Sequence, residues 1–132
     1  MAGEFKEAVL TAKGIALLAK AQAGRCTIKV TKAATGDGSY SDGEALTNRT
    51  ALKSKKQEFA LITVTTQNQS NVYVKFIITN KQDTGNLKNG YYVKEVGIYA
   101  QDPDEGEILY ALAVGVANQW DYMPAYNDLL PS

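Results

Sequence analysis

Histidine is absent from this chain and cysteine occurs once. Without histidine there is no Ser-His-Asp triad, no ordinary general base near neutral pH and no common zinc ligand set. A lone thiol, Cys26, cannot close an intrachain disulfide, so nothing requires an oxidising compartment. Its place in the strand-like run RCTIKV suits a buried thiol better than a nucleophile. Charge of one sign is also missing, because 14 basic and 14 acidic residues cancel. A nucleic-acid or membrane-surface partner would call for a basic excess, so neither is expected. No apolar run approaches the roughly 20 residues that span a bilayer, so membrane insertion is not expected either. The first residues lack the basic and apolar regions of a secretory signal, which points to synthesis in a cytoplasm. The phosphate-cradling patterns G-x-x-x-x-G-K-[ST] and G-x-G-x-x-G do not occur, and no cofactor or catalytic residue is expected.

What is present is a domain-sized chain of 132 residues, 45% of them hydrophobic, enough for a core. Thr11 is a plausible N-cap for a helix over Ala12 to Ala23, with Ile15, Leu18, Ala19 and Gln22 spaced as one face. Gly24 fits the stop just past that helix, and Lys20 suits its last turns. Gly14 weakens the first turn by roughly 1 kcal/mol relative to alanine. Cys26 to Lys32 alternates as a strand, and a loop follows from Ala34 through Glu44. Ala45 to Ala51 is expected as a helical turn or irregular. Lys53, Lys55 and Lys56 make a solvated strand entry. Glu58 to Thr66 and Val72 to Thr79 form two β-rich runs around the polar turn QNQSN, an expected antiparallel hairpin. Tyr91 to Ala113 holds two more runs around an acidic segment with Pro103 and Gly106, again a hairpin. Residues 118–132 lose periodicity and are expected as an irregular tail. One helix followed by about five strands gives an α+β domain over residues 1–132, the helix packed on an antiparallel sheet or small sandwich.

Candidate chemistry is sparse. Asp37 to Glu44 places oxygen donors at alternate positions, as a calcium loop does, but its glycine falls one place late and its twelfth position is Asn48. Asp102, Asp104, Glu105 and Glu107 lie within six residues, and a solvated hairpin tip accounts for them without a metal. The most unusual acid is Glu95, placed mid-strand before Gly97. Alternation puts Glu95 with Val93, Gly97 and Tyr99. If that face is core, the carboxylate must be hydrogen-bonded or paired, and it reads as a tether for loop amides or an arginine. Glycine at 97 marks a bulge or a close approach. Trp120, Tyr122 and Tyr126 form an aromatic group near the end of the chain, suited to a protein interface or to stacking on a sugar.

Three motifs recur in a telling order. VLTAKGIALLAKAQAG (Val9 to Gly24) carries a T-x-x-G helix opening at Thr11 and Gly14. ATGDG (Ala34 to Gly38) is a small-residue loop with Gly36, Asp37 and Gly38. EVGIY (Glu95 to Tyr99) opens the last hairpin. In this order and spacing the chain resembles the N-terminal domain of phage tail-collar or tail-fibre proteins. DYMPAY (Asp121 to Tyr126) is similar to variants from phages or prophages of Gram-positive bacteria. The resemblance implies a structural role in the virion tail, fastening a fibre to the baseplate or tail tip and so supporting host adhesion. It also implies self-association as a trimer and partners among baseplate or other tail proteins. Thr11, Gly14, Gly36, Asp37, Gly38, Glu95, Gly97 and Tyr99 become its expected structural signature. No shaft or receptor-binding region follows Ser132 in the sequence, so attachment is expected of these residues rather than host recognition. The alternative is a lectin-like module binding host glycans through Trp120 and Tyr122. A small glycosidase would need two carboxylates about 5 to 9.5 Å apart in a cleft.

Overall fold

The computed structural model describes residues 8–41, 43–61, 63–68, 71–75, 87–116 and 119–125. In chain order the elements are β1 (Val9–Leu10), α1 (Ala12–Gln22), β2 (Val30–Gly36), β3 (Lys55–Phe59), β4 (Thr63–Asn68), β5 (Asn71–Lys75), β6 (Tyr91–Val93), β7 (Glu95–Asp102), β8 (Gly106–Val114) and β9 (Asp121–Met123). Five strands form one antiparallel sheet in the order β1-β8-β7-β2-β3. Strands β4 and β5 pair as a separate hairpin, and β6 pairs with β9 in a second two-stranded ribbon. One helix on an antiparallel sheet is the α+β class expected from the sequence.

The helix ends obey local chemistry. Thr11 is extended at ψ 166°, and its hydroxyl accepts from the Gly14 amide at 2.9 Å. At the other end Gly24 takes φ 81°, while Arg25 N–H donates to the Lys20 carbonyl and Gly24 N–H to the Ala21 carbonyl, each at 3.0 Å. That pair of bonds is a Schellman stop, and it needs the left-handed residue that glycine supplies.

The helix face differs from the expected one. Gly14, Leu17 and Ala21 are buried and Leu18 is partly so, whereas Ile15 is 52% exposed and Ala19 and Gln22 face solvent. The reason is Gly14, where a Cβ would stand only 2.1 Å from the Tyr110 carbonyl oxygen. The helix backbone can approach β8 that closely only on its glycine face, and this fixes the rotation of the helix. Leu17 and Ala21 then pack with Ile28, Val30, Ala100, Ile108 and Tyr110 as the main core. Burying a side chain such as Leu17 contributes roughly 1.5–3 kcal/mol.

Strand boundaries also shift. Strand β2 begins at Val30, not Cys26, because its ladder with β7 starts at Val30 opposite Ala100 and is offset at Thr31. It continues through Thr35 and Gly36, so the loop starts at Asp37 rather than Ala34. The expected run from Glu58 to Thr66 is broken at residues 60–61, where the chain leaves the main sheet for the β4–β5 hairpin. Residues 76–79 of the expected Val72 to Thr79 strand lie outside the described residues. A single 3₁₀ turn, Leu46–Asn48, falls within the segment expected to be helical or irregular.

The last hairpin is shorter than its sequence suggests. Lys94 donates its N–H to the Gly36 carbonyl at 2.9 Å and accepts at its own carbonyl from Gly115 N–H at 2.7 Å. These bonds separate Tyr91–Val93 from β7 and send it to β9 instead. The turn is confined to residues 103–105, closed by Gly106 at φ 82°. Within the segment expected to be irregular, residues 121–123 form β9.

Candidate functional site

Glu95 is 0% exposed, and four donors converge on its carboxylate. Oε2 accepts from the amides of Gly38 and Ser54, each at 2.9 Å, and Oε1 accepts from the Lys53 amide at 3.0 Å and the Tyr40 hydroxyl at 2.5 Å. An ionised carboxylate offers about four acceptor sites, so the group is saturated. Among the described residues no cation pairs with it. Backbone and hydroxyl dipoles meet the cost of burying the charge. Glu95 is the tether that its mid-strand position suggested, and the tethered backbone is that of residues 38 and 53–54.

The glycines around it are the spaces through which the loops come close. A Cβ at Gly36 would lie 2.2 Å from the Ser54 carbonyl oxygen, and one at Gly38 would lie 2.6 Å from Glu95 Oε2. Asp37 contributes its backbone, donating N–H to the Ser54 carbonyl at 3.1 Å. A Cβ at Gly97 would lie 2.9 Å from both Leu52 and Leu109, so this glycine admits two leucines over the strand. Alternation along β7 holds through Gly97, but the ladder with β8 shifts between Ile98 and Tyr99, so Tyr99 does not follow Glu95 strictly. Tyr99 is half-buried against the cluster of Ala34, Leu52, Leu112 and Val114, with Lys32 Nζ 4.9 Å from its ring centre. Burial pushes its hydroxyl pKa upward. Burial does the same more strongly for Tyr40, reinforced by its bond to Glu95, which holds the phenol protonated as a donor. Thr11, the first member of the signature, is wholly buried. Its amide donates to the Tyr110 carbonyl at 3.1 Å and its hydroxyl donates to the Leu109 carbonyl, which anchors the helix start on β8.

A second polar chain fastens the β6–β9 ribbon to the sheet. Tyr91 donates its hydroxyl to Gln57 Oε1 at 2.6 Å, so the 2.5 Å contact with Thr35 is donated by Thr35. Thr35, Gln57 and Tyr91 are all buried.

In the acidic segment 102–107, expected as a solvated tip, Asp104, Glu105 and Glu107 are exposed and Asp102 is the exception. Asp102 is 1% exposed and lies 2.7 Å from Lys20 Nζ. Its Oδ1 also accepts from the Asp104 amide at 2.8 Å. The Lys20 bond, then the Asp104 amide, hold its pKa below the ordinary range. Lys20 also reaches Asp104 at 2.8 Å, Arg25 pairs with Asp104 at 3.2 Å, and Lys13 pairs with Glu105. Lys32 joins Glu107 at 3.1 Å and Glu58 at 2.9 Å. The segment is thus an ion-paired seam against the helix and β2. Among the described residues no group of three or more acidic, histidine or cysteine side chains is arranged to hold a metal.

The aromatic residues gather at the other end of β7. The Trp120 ring lies against Gly115, where a Cβ would stand 2.5 Å from its Cδ1, and Lys94 Nζ sits 4.3 Å from the ring centre. Tyr122 is 54% exposed and meets Tyr92, 51% exposed, edge to face at 5.1 Å. Tyr126 lies outside the described residues. Sequence reasoning missed Tyr92, Tyr40 and Lys94. The alternation within Tyr91–Val93, one tyrosine in and one out, was the only signal for Tyr92.

No curated protein and no solved structure matches the chain significantly. The profile of one family, described as phage tail-collar fibre protein, N-terminal, matches residues 1–115. That span holds the capped helix, the glycine loop and the Glu95 strand, and it ends just before Trp120. The chain belongs to the phage tail-collar fibre protein family and carries its N-terminal region.

Proposed function

We propose that this chain is the virion-proximal module of a tail fibre, fastening the fibre to the baseplate or tail tip and supporting host adhesion through the fibre it carries. Family membership gives it a structural role in a phage tail and association with other tail proteins. The observation that carries the finer reading is the Glu95 clasp. A saturated, fully buried carboxylate spends its bonding capacity on loop backbone and leaves none for a substrate. Such a group builds a rigid platform and does no catalysis. Thr11, Gly14, Gly36, Asp37, Gly38, Gly97 and Tyr99 serve the same platform as close-approach or anchoring positions. The exposed Tyr92–Tyr122 pair, beside Trp120, supplies the aromatic contact area that protein interfaces favour.

Self-association as a trimer follows from the same reading. Light scattering across a concentration series, with pull-down of baseplate proteins from the same phage, tests it. The expected result is a trimer that retains a baseplate protein. A monomer at every concentration that retains none would overturn the proposal. Binding on a glycan array that is lost in Tyr122→Ala would favour the lectin-like alternative.

A further inference from the structure

Two pairs in which an acid or its amide precedes glycine have opposite surroundings. Asn89–Gly90 lies at a bend just before β6, with Asn89 exposed and Gly90 half-buried. Among the described residues, neither the Asn89 side chain nor the Gly90 N–H makes a hydrogen bond. Asp37–Gly38 lies just after β2. There Gly38 is buried and its N–H donates to Glu95 Oε2 at 2.9 Å, while the Asp37 N–H donates to the Ser54 carbonyl at 3.1 Å. A Cβ at Gly38 would stand 2.6 Å from Glu95 Oε2, so the space around that peptide is filled.

We propose that Asn89–Gly90 is a site of spontaneous backbone rearrangement through a succinimide, and that the Glu95 clasp protects Asp37–Gly38 from the same reaction. The Gly90 nitrogen gives its proton to solvent base and attacks Asn89 Cγ, unhindered by any Cβ of its own residue. A C–N bond forms, the Cγ–Nδ2 bond breaks, and ammonia leaves with a proton taken from water. Water then opens the five-membered ring. Attack at Cγ leaves aspartate, and attack at the main-chain carbonyl leaves isoaspartate, whose backbone runs through Cβ and is one methylene longer. At Asp37 the same ring would close with loss of water. Closure there requires a bare Gly38 nitrogen that can turn toward Asp37 Cγ. The Glu95 carboxylate holds that N–H in place, and its charge opposes a second negative charge on the nitrogen.

The rearrangement has a structural consequence, because β9 presses on Gly90. A Cβ at Gly90 would stand 2.1 Å from the Tyr122 hydroxyl oxygen and 2.9 Å from the Met123 carbonyl oxygen. An added methylene just before Gly90 shifts it against both contacts and loosens the ladder where Tyr91 meets Met123. The proposal stands whether or not the chain fastens a fibre to a baseplate.

The test ages the full chain in neutral and mildly alkaline buffer, with and without urea. Peptide mapping by mass spectrometry, with isoaspartyl methyltransferase labelling, then locates the products. In the folded chain isoaspartate should accumulate at position 89, faster in alkali, and not at 37. In urea both pairs should react, so that folding protects Asp37 roughly tenfold or more beyond any protection of Asn89. This comparison needs no variant. Glu95→Gln, which removes the charge beside the Gly38 N–H, should release isoaspartate at 37 and leave the rate at 89 unchanged. Asn89→Gln should silence position 89. Aged wild type should show quicker amide exchange at Tyr91–Val93, whereas fresh Asn89→Asp, with the charge but an ordinary backbone, should not. Equal protection of the two pairs in the folded chain, or stronger protection at Asn89, would overturn the proposal. Isoaspartate-rich protein with unchanged exchange at Tyr91–Val93 would overturn the link to the ribbon.

Discussion

Glu95 and Asp121 are two acidic residues of one neighbourhood, Asp121 lying opposite Val93 and Glu95 two residues further along the chain, and their surroundings are opposites. Glu95 starts β7 and receives three backbone amides and a tyrosine hydroxyl. Asp121 starts β9, and among the described residues no donor reaches its buried Oδ2. The five-stranded sheet is therefore closed around a fully bonded carboxylate, while the ribbon holds a half-buried one with an oxygen that no described residue reaches. Burial alone does not say what a carboxylate does for a fold; the donors it meets decide the sign. The main sheet and its small appendage thus use the same side-chain chemistry differently.

The contrast can be broken most sharply at Glu95. Glu95→Ala strands three amides and a phenol in the interior, and we expect a loss of about 3–5 kcal/mol, read from the urea midpoint. A shift of only a few tenths of a kcal/mol would mean that the loops at 38 and 53–54 hold without the tether. A smaller effect is expected from Asp102→Asn, which weakens the seam between Lys20 and the hairpin turn. The folded pKa of Asp102 is depressed, first by the Lys20 bond and then by the Asp104 amide. Its stabilising contribution is therefore present above the ordinary value of 3.8 and is lost as pH falls through the lower folded value. The gap in thermal midpoint between wild type and variant should be open at neutral pH and close in acid. A gap that stays constant through the acid limb would assign the effect to packing. The smallest effect is expected in the ribbon itself. Tyr122→Ala removes half of an exposed aromatic pair and should cost less than about 1 kcal/mol globally, while shifting the Tyr92 ring resonances. A global loss as large as that of Glu95→Ala would erase the distinction between body and appendage.

The parts of this architecture that were legible in the sequence are those governed by neighbours in the chain. Thr11 and Gly24 mark the helix ends because capping is a matter of a few residues. Glu95 was legible as a tether because a carboxylate in a core strand has to be satisfied somewhere. Its donors were not, since Gly38, Tyr40, Lys53 and Ser54 come from loops set far from it in sequence. The helix face was misjudged because Gly14 counted as a weak helix former, when its value lies in contact with the Tyr110 carbonyl. Asp102 resembled the other acids of its run, and only its burial beneath the turn, which the sequence does not show, separates it from them. The β6–β9 ribbon left almost no trace, because two three-residue strands show no period and pair across an intervening hairpin. For the signature residues, the spacing located the glycines but could not say that each one admits a particular backbone or leucine.

Thr11 carries one more consequence, and it concerns the order in which the chain is made. Its amide and hydroxyl bind the carbonyls of Leu109 and Tyr110, and β1 beside it pairs with Ala111 and Leu112. Strand β1 and Thr11 therefore lack these partners until the last strand of the main sheet exists. At typical translation rates of about 5–20 residues per second, the helix waits on the order of 5–20 s with its Leu17 face uncovered. The fold cannot close piecemeal from its N-terminus, and the growing chain must be kept from its neighbours on the polysome until β8 emerges.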